Sequence, residues 1–263
     1  MSKNINISCI QTDLAWENID QNLDHFANKL NQLPKEIEVV VLPEMFTTGF
    51  TMNASKMAEP MNGRTFLWMK EQAEKINKII IGSIIIQENK KYYNRCLSIF
   101  PNGEYFTYDK GHLFRMEKEN KDFSKGVSKT IFKHNGWRIC TLICYDLRFP
   151  VWSRNQDDYD LLIYIASWPE SRREVWNTLL KARAIENQAY VIGVNRIGED
   201  GEGITYSGDT VIINPKGQII TKANDFKDEI INAEISLDEL NKFRTKFPVH
   251  LDADDFKIIK NVT

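Results

Sequence analysis

"KIIIGSIIIQENKKYYNRCLSIFPNGEYFTYDK", residues 78 to 110, holds three runs rich in β-branched and aromatic residues, separated by the polar turns "QENKK" and "PNGE". The pattern predicts three strands joined by two hairpins. Upstream, "INISCIQ" (5–11) alternates apolar and polar residues as a strand does, and "NIDQNLDHFANKLNQL" sets Ile19, Leu23, Phe26, Ala27, Leu30 and Leu33 at helical spacing. "IEVVVLPE" is an apolar run stopped by Pro43, suited to a fully buried strand, and "TFLWMKEQAEKIN" is a second helix. Downstream of a charged loop (115–125) come the strand "GWRICTLIC", a short helix near "PVWSRN" and a buried strand "DLLIYIASW". The helix "REVWNTLLKARAIENQ" then carries Trp176, Leu179, Leu180, Ala184 and Ile185 on one face. The strand "AYVIGVNRIG", a glycine-rich loop "DGEGITYSGD", the hairpin "TVIINPKGQIITKA", a last strand "DEIINAEIS" and a C-terminal arm complete the chain. Helices alternating with buried strands indicate an α/β fold, but the hairpins argue against a purely parallel, doubly wound sheet. A mixed sheet, or two sheets packed face to face with helices outside, fits the order. Residues 1–263 show no linker, so one domain is expected.

A hydrophobic fraction of 42% and a charged fraction of 27% fit a globular protein. The formal net charge of -2 offers no general attraction to nucleic acid or to an anionic membrane, which leaves small molecules or proteins as partners. "MSKNINISCIQTD" has no apolar core of signal-peptide length, and no apolar run approaches the roughly 20 residues that span a bilayer, so a cytoplasmic location is expected. The four cysteines (Cys9, Cys96, Cys140, Cys144) then read as reduced thiols. Cys140 and Cys144 lack the second ligand pair that zinc needs, and they do not form a Cys-x-x-Cys redox motif. The phosphate-binding glycine patterns are absent as well.

Three strands end in reactive side chains: "VVVLPE" in Glu44, "YFTYDK" in Lys110 and "RICTLIC" in Cys144. Ligands of α/β sheets sit at the carboxyl ends of strands, where the loops diverge. A carboxylate, an ammonium and a thiol that met there would suffice for nucleophilic attack on a carbonyl, with Glu44 as base and Lys110 on the oxyanion. A turn through Tyr145 and Asp146 would expose the sulfur in the manner of a nucleophile elbow. On position alone, Cys144 fits a buried structural thiol equally well, Glu44 a surface acid after a turn, and Lys110 a solvated strand end.

"LPEMFTTGF", "DKGHLFRMEKENKDFSKG" and "LICYDLRFP", in that order, resemble the three signature blocks of the nitrilase superfamily of carbon–nitrogen hydrolases. "SWPESRREVWNTLLKARAIENQAYVIGVNRIG" and "YSGDTVIINPKGQII" extend the likeness over nearly the whole chain, most closely to the omega-amidase branch. The resemblance implies a four-layer α-β-β-α sandwich, no metal or organic cofactor, and a homodimer formed through the helical face. It implies that Glu44 is the general base, Lys110 the oxyanion lysine, Cys144 the nucleophile and Glu119, ahead of Phe123 and Gly126, the second glutamate; Glu117 lies in the same charged run. It also implies hydrolysis of dicarboxylic acid monoamides such as 2-oxoglutaramate and 2-oxosuccinamate through a thioester. Other branches act on different amides, carbamoyl groups or nitriles. The distal carboxylate of such a monoamide calls for a cation, and Arg172 and Arg173 in "SWPESRRE" are the candidates, with Phe50, Tyr145 and Trp168 as pocket walls. Arg148 reads as structural, pairing with a neighbouring acid.

Overall fold

The computed structural model describes residues 3–259. Each of two six-stranded sheets is built around three parallel strands whose residues are almost all buried, which is why these segments read as continuous apolar runs. The chain runs β1 (Asn4–Gln11), α1 (Ile19–Leu30), β2 (Val39–Val41), α2 (Ala54–Met57), α3 (Arg64–Ile76), β3 (Ile79–Glu88), β4 (Lys91–Ile99) and β5 (Tyr105–Asp109). After α4 (Glu119–Asp122) come β6 (Ile131–His134), β7 (Trp137–Ile143), α5 (Pro150–Ser153), β8 (Leu161–Ala166), α6 (Arg173–Asn187) and β9 (Tyr190–Asn195). The ribbon of β10 (Ile197–Glu199) and β11 (Thr205–Ser207) follows, then β12 (Val211–Ile213), β13 (Ile219–Lys222), β14 (Glu229–Ser236) and α7 (Leu237–Lys246).

The first sheet has the order β14-β1-β2-β3-β4-β5 and the second β13-β12-β9-β8-β7-β6. In the first, β1, β2 and β3 are parallel, with β14 antiparallel on one side and the β4–β5 hairpin on the other. In the second, β7, β8 and β9 are parallel, flanked by β6 and by the β12–β13 hairpin. Alternate residues of β2 and β3 part to opposite faces. Val39, Val41, Ile79 and Ile81 join a core shared with Ile139, Ile163 and Val194 of the second sheet. Val40 and Ile80 pack with Leu23, Phe26 and Leu30 of α1 and with Phe66, Met69 and Ala73 of α3. Trp176, Leu180 and Ala184 of α6 cover the second sheet. These layers are the α-β-β-α sandwich.

Several local readings change. Two polar positions of β1 do not face water: Ser8 is buried against Asn232, and Gln11 donates to Asn224 O (2.8 Å) and Lys227 O (3.0 Å) while accepting from Thr210 N (2.9 Å). The strand β6 was not anticipated in "KTIFKHN", nor β11 inside the glycine-rich loop. The C-terminal arm contains α7, whose N-terminus is capped by Ser236 accepting from Glu239 N; residues 260–263 of the arm lie outside the described residues. Ile185 belongs to the solvent side of α6 and not to its core face, where Arg183 and Asn187 are buried instead.

Gly193 in β9 is where α6 comes nearest to the sheet: a Cβ there would meet Leu180 Cδ1 at 2.4 Å and Trp176 Cζ2 at 2.7 Å. Gly193→Ala is expected to destabilise the protein by about 1–3 kcal/mol through overpacking, read as a lower denaturation midpoint at unchanged slope. An unchanged midpoint would mean that α6 does not rest on β9 as described.

Candidate active site

Glu44 follows β2, Lys110 follows β5 and Cys144 follows β7, and all three turn inward at one edge of the sandwich, where Glu44 and Lys110 are fully buried. The turns are tight: Met45, just after Glu44, has φ 45° and Cys144 itself has φ 44°. Such left-handed values disfavour side chains other than glycine and concentrate at functional sites. Glu44 Oε1 accepts from Lys110 Nζ (2.9 Å) and Asn94 Nδ2 (2.7 Å), and its Oε2 accepts from the backbone N–H of Ser167 (2.8 Å). Lys110 Nζ also donates to both oxygens of Glu119 (3.0 Å each) and lies 4.8 Å from the centre of the Phe50 ring. Glu119 is fully buried at the start of α4 and accepts from Phe114 N at 2.5 Å. The Cys144 thiol donates to Ser167 O (3.9 Å) and lies close enough to Glu44 to feel its charge. Glu119, not Glu117, is therefore the acid that meets the lysine.

Burial works against the Lys110 ammonium, but the charges of Glu119 and Glu44 outweigh it and keep the group protonated, with its pKa raised. Burial likewise pushes the Glu119 carboxyl up, against the pull of Lys110. The Cys144 thiol is raised well above its ordinary value by burial first and by the Glu44 charge next, with Lys110 opposing. A resting thiolate would put a further negative charge into a buried site beside the Glu44 and Glu119 carboxyl groups. The arrangement holds a neutral thiol beside a base, ready to lose its proton as it attacks.

The cluster opens onto a pocket lined by Phe50, Phe114, Tyr145, Trp168, Ile204 and Tyr206, with Glu117, Arg148 and Arg172 also on its wall. Phe50, Tyr145, Trp168 and Arg172, the candidates for substrate contact, all line this pocket. Arg173 does not: it begins α6 facing away, bound to Asp209 (2.7 Å) and Asp225 (2.5 Å). Arg148, read as structural, has no acidic partner among the described residues; its guanidinium lies 5.5 Å from the centre of the Trp168 ring. Arg172 lies 5.1 Å from the centre of the Phe114 ring in the same way. Stacking on rings orients both cations without neutralising them.

Sequence reasoning missed Asn94 and Asn195. Asn94 on β4 donates to Glu44, and its own carbonyl accepts from Lys110 N (3.0 Å), so one residue holds base and lysine together. Asn195, ending β9, accepts from Trp168 N (2.7 Å) and donates to Trp168 O (3.0 Å), fixing the loop that supplies the Ser167 N–H. The available signal was a polar residue within or ending an apolar strand. Among the described residues, no group of three or more His, Cys, Asp or Glu side chains is arranged to hold a metal ion, and no helix is long and apolar enough to cross a membrane.

The sequence profile of the carbon–nitrogen hydrolase family matches residues 6–245. The chain is 45% identical over 254 residues to the omega-amidase YafV of Escherichia coli, covering 97% of this chain and 98% of that one. It is 32% identical over 251 residues to the 2-oxoglutaramate amidase of Bacillus subtilis, covering 94% and 96%. A solved structure of a CN-hydrolase superfamily protein from Xanthomonas campestris, with an arsenic adduct in its active site, superposes with a TM-score of 0.95 at 37% identity over 97% of this chain and 99% of that one.

Because the raised Cys144 thiol holds its proton, the thiolate absorbance near about 240 nm is expected to be missing from the difference between wild type and Cys144→Ser up to about pH 8. A titrating step near neutrality would mean that the thiolate is formed before substrate arrives.

Proposed function

The chain belongs to the carbon–nitrogen hydrolase family, and from that premise we propose that it is an omega-amidase, hydrolysing the terminal amide of 2-oxoglutaramate and 2-oxosuccinamate to the dicarboxylic acid and ammonia. The observation that carries the reading is the pairing of the buried Glu44–Lys110–Cys144 cluster with two guanidiniums, Arg148 and Arg172, that have no acidic partner in the same pocket. A neutral nitrile or simple amide would leave both cations unanswered. The names borne by the Escherichia coli and Bacillus subtilis relatives support the same substrate class.

In the reaction, Glu44 takes the thiol proton as sulfur attacks the amide carbon, and Lys110 with a backbone N–H near Cys144 or Tyr145 stabilises the oxyanion. Glu44 returns the proton to the nitrogen, the C–N bond breaks, and ammonia leaves a thioester. Water, losing a proton to Glu44, then adds to the thioester; the acid departs and the thiol is restored. Glu119 keeps Lys110 in place and charged through both halves. Asn94 and the Ser167 N–H aim the Glu44 lone pairs at the sulfur. A cytoplasmic location, where reduced thiols persist, and a homodimer through the α5 and α6 face complete the proposal. Val151 and Ile185 on those helices leave apolar surface exposed, which supports the dimer.

Rapid ammonia release from both keto-acid amides, lost in Cys144→Ala, is the expected result; no release from either would reject the substrate class. Arg148→Met and Arg172→Met are each expected to raise KM for these substrates about 10- to 100-fold, the worth of a hydrogen bond to a charged group, with a smaller effect on kcat. Unchanged KM in both would remove the arginines from carboxylate binding.

A further inference from the structure

Asp146 lies two residues after Cys144, is fully buried, and takes no direct part in the reaction described above. An ionised carboxylate only accepts hydrogen bonds and has room for about four. All four places are filled. Oδ1 accepts from His112 N (3.0 Å) and His112 Nδ1 (2.8 Å), and Oδ2 from Tyr108 OH (2.7 Å) and Ile143 N (3.1 Å). Tyr108 OH, having donated to Asp146, accepts from Gly111 N (3.0 Å) and Trp152 Nε1 (2.9 Å). The His112 ring stacks on Phe149 with centres 3.7 Å apart and planes within 9°. The donors come from two segments: residues 108–112, which enclose Lys110, and Ile143, which adjoins Cys144.

We propose that Asp146, with Tyr108 and His112, is a positioning group that sets the spacing between the Lys110 ammonium and the Cys144 sulfur. It reaches back over the left-handed turn at Cys144 to hold the amide before it, and across to the lysine loop at three points, directly through Tyr108 and His112 and through the tyrosine oxygen to Gly111. A fully satisfied network of this kind favours one geometry, because Asp146 and Tyr108 are buried and a bond lost between them is not readily replaced by water, while the partly exposed His112 ring is held by its stack on Phe149. The proposal rests on the reading of Lys110 as the oxyanion cation and Cys144 as the nucleophile.

Tyr108→Phe and Asp146→Asn test it. The first removes one hydroxyl; the second turns an acceptor oxygen into a donor that faces other donors. Each is to be assayed for amide hydrolysis and for inactivation by iodoacetamide. Alkylation forms the S–C bond by displacing iodide from a saturated carbon and gives the thiol proton to Glu44, so it develops no oxyanion and does not call on Lys110. A misplaced lysine is expected to lower kcat on the order of 10- to 100-fold, with KM and the alkylation rate within about twofold of wild type. Unchanged kcat in Tyr108→Phe, or kcat and alkylation falling together in both variants, would overturn the proposal, since general loosening of the fold harms both reactions. If wild type releases no ammonia from the keto-acid amides yet is alkylated at Cys144, the substrate assignment fails on its own. Crystal structures of the two variants then decide the point without substrate: a shift of Lys110 Nζ relative to Cys144 Sγ of about 1 Å supports the positioning role, and an unmoved pair overturns it.

Discussion

The Lys110 ammonium, fully buried between the carboxylates of Glu44 and Glu119, constrains the rest of the molecule. Taking an ion out of water costs several kcal/mol, and removing one partner of a buried pair typically costs about 3–5 kcal/mol because the survivor is left uncompensated. The three groups come from separate parts of the chain, so removing any one of them would leave the others' buried charge uncompensated. In sheet order, β3 and β4 separate β2 from β5. Asn94 on β4 closes that gap, bonded to Glu44 by its side chain and to Lys110 N by its carbonyl.

The two sheets explain why the meeting point is an edge. Parallel strands end on the same side, and each sheet has three of them at its centre, so the residues after β2, β7, β8 and β9 gather at the carboxyl ends. Glu44 comes from one sheet; Cys144, Ser167 and Asn195 come from the other. The 2.8 Å bond from Ser167 N to Glu44 Oε2 joins the sheets at that point. Face-to-face packing thus places a carboxylate from one sheet beside a thiol from the other, and the β4–β5 hairpin supplies the lysine.

How much could be read in the sequence follows from what each residue's environment leaves in the local pattern. Strands buried on both faces read as unbroken apolar runs, so Glu44 and Cys144 stood out as reactive groups where the runs stop, and the hairpins between residues 78 and 110 announced a mixed sheet. The choice between Arg172 and Arg173 was not legible. Successive residues at a helix start point roughly 100° apart, and the acid that claims Arg173, Asp209, lies in a distant loop. Arg148 misled for a related reason: its partner is an aromatic ring, which no charge pattern reveals. Asn94 looks like any polar strand residue until its neighbour proves to be Glu44. The helix α7 is a different kind of miss, since the Ser236 to Glu239 cap was present in the sequence as a start signal.

The charges are also ordered along the pocket. The buried cluster behind it holds two carboxyl groups against one ammonium, and the pocket wall carries the Arg148 and Arg172 guanidiniums over aromatic rings, with Glu117 elsewhere on the lining. The substrate class proposed above would match that order, with its amide toward the cluster and its carboxylate toward the arginines. Under that binding mode, hydrolysis would place a second carboxylate against the acidic side chains of the cluster, so the product would be held less tightly than the substrate.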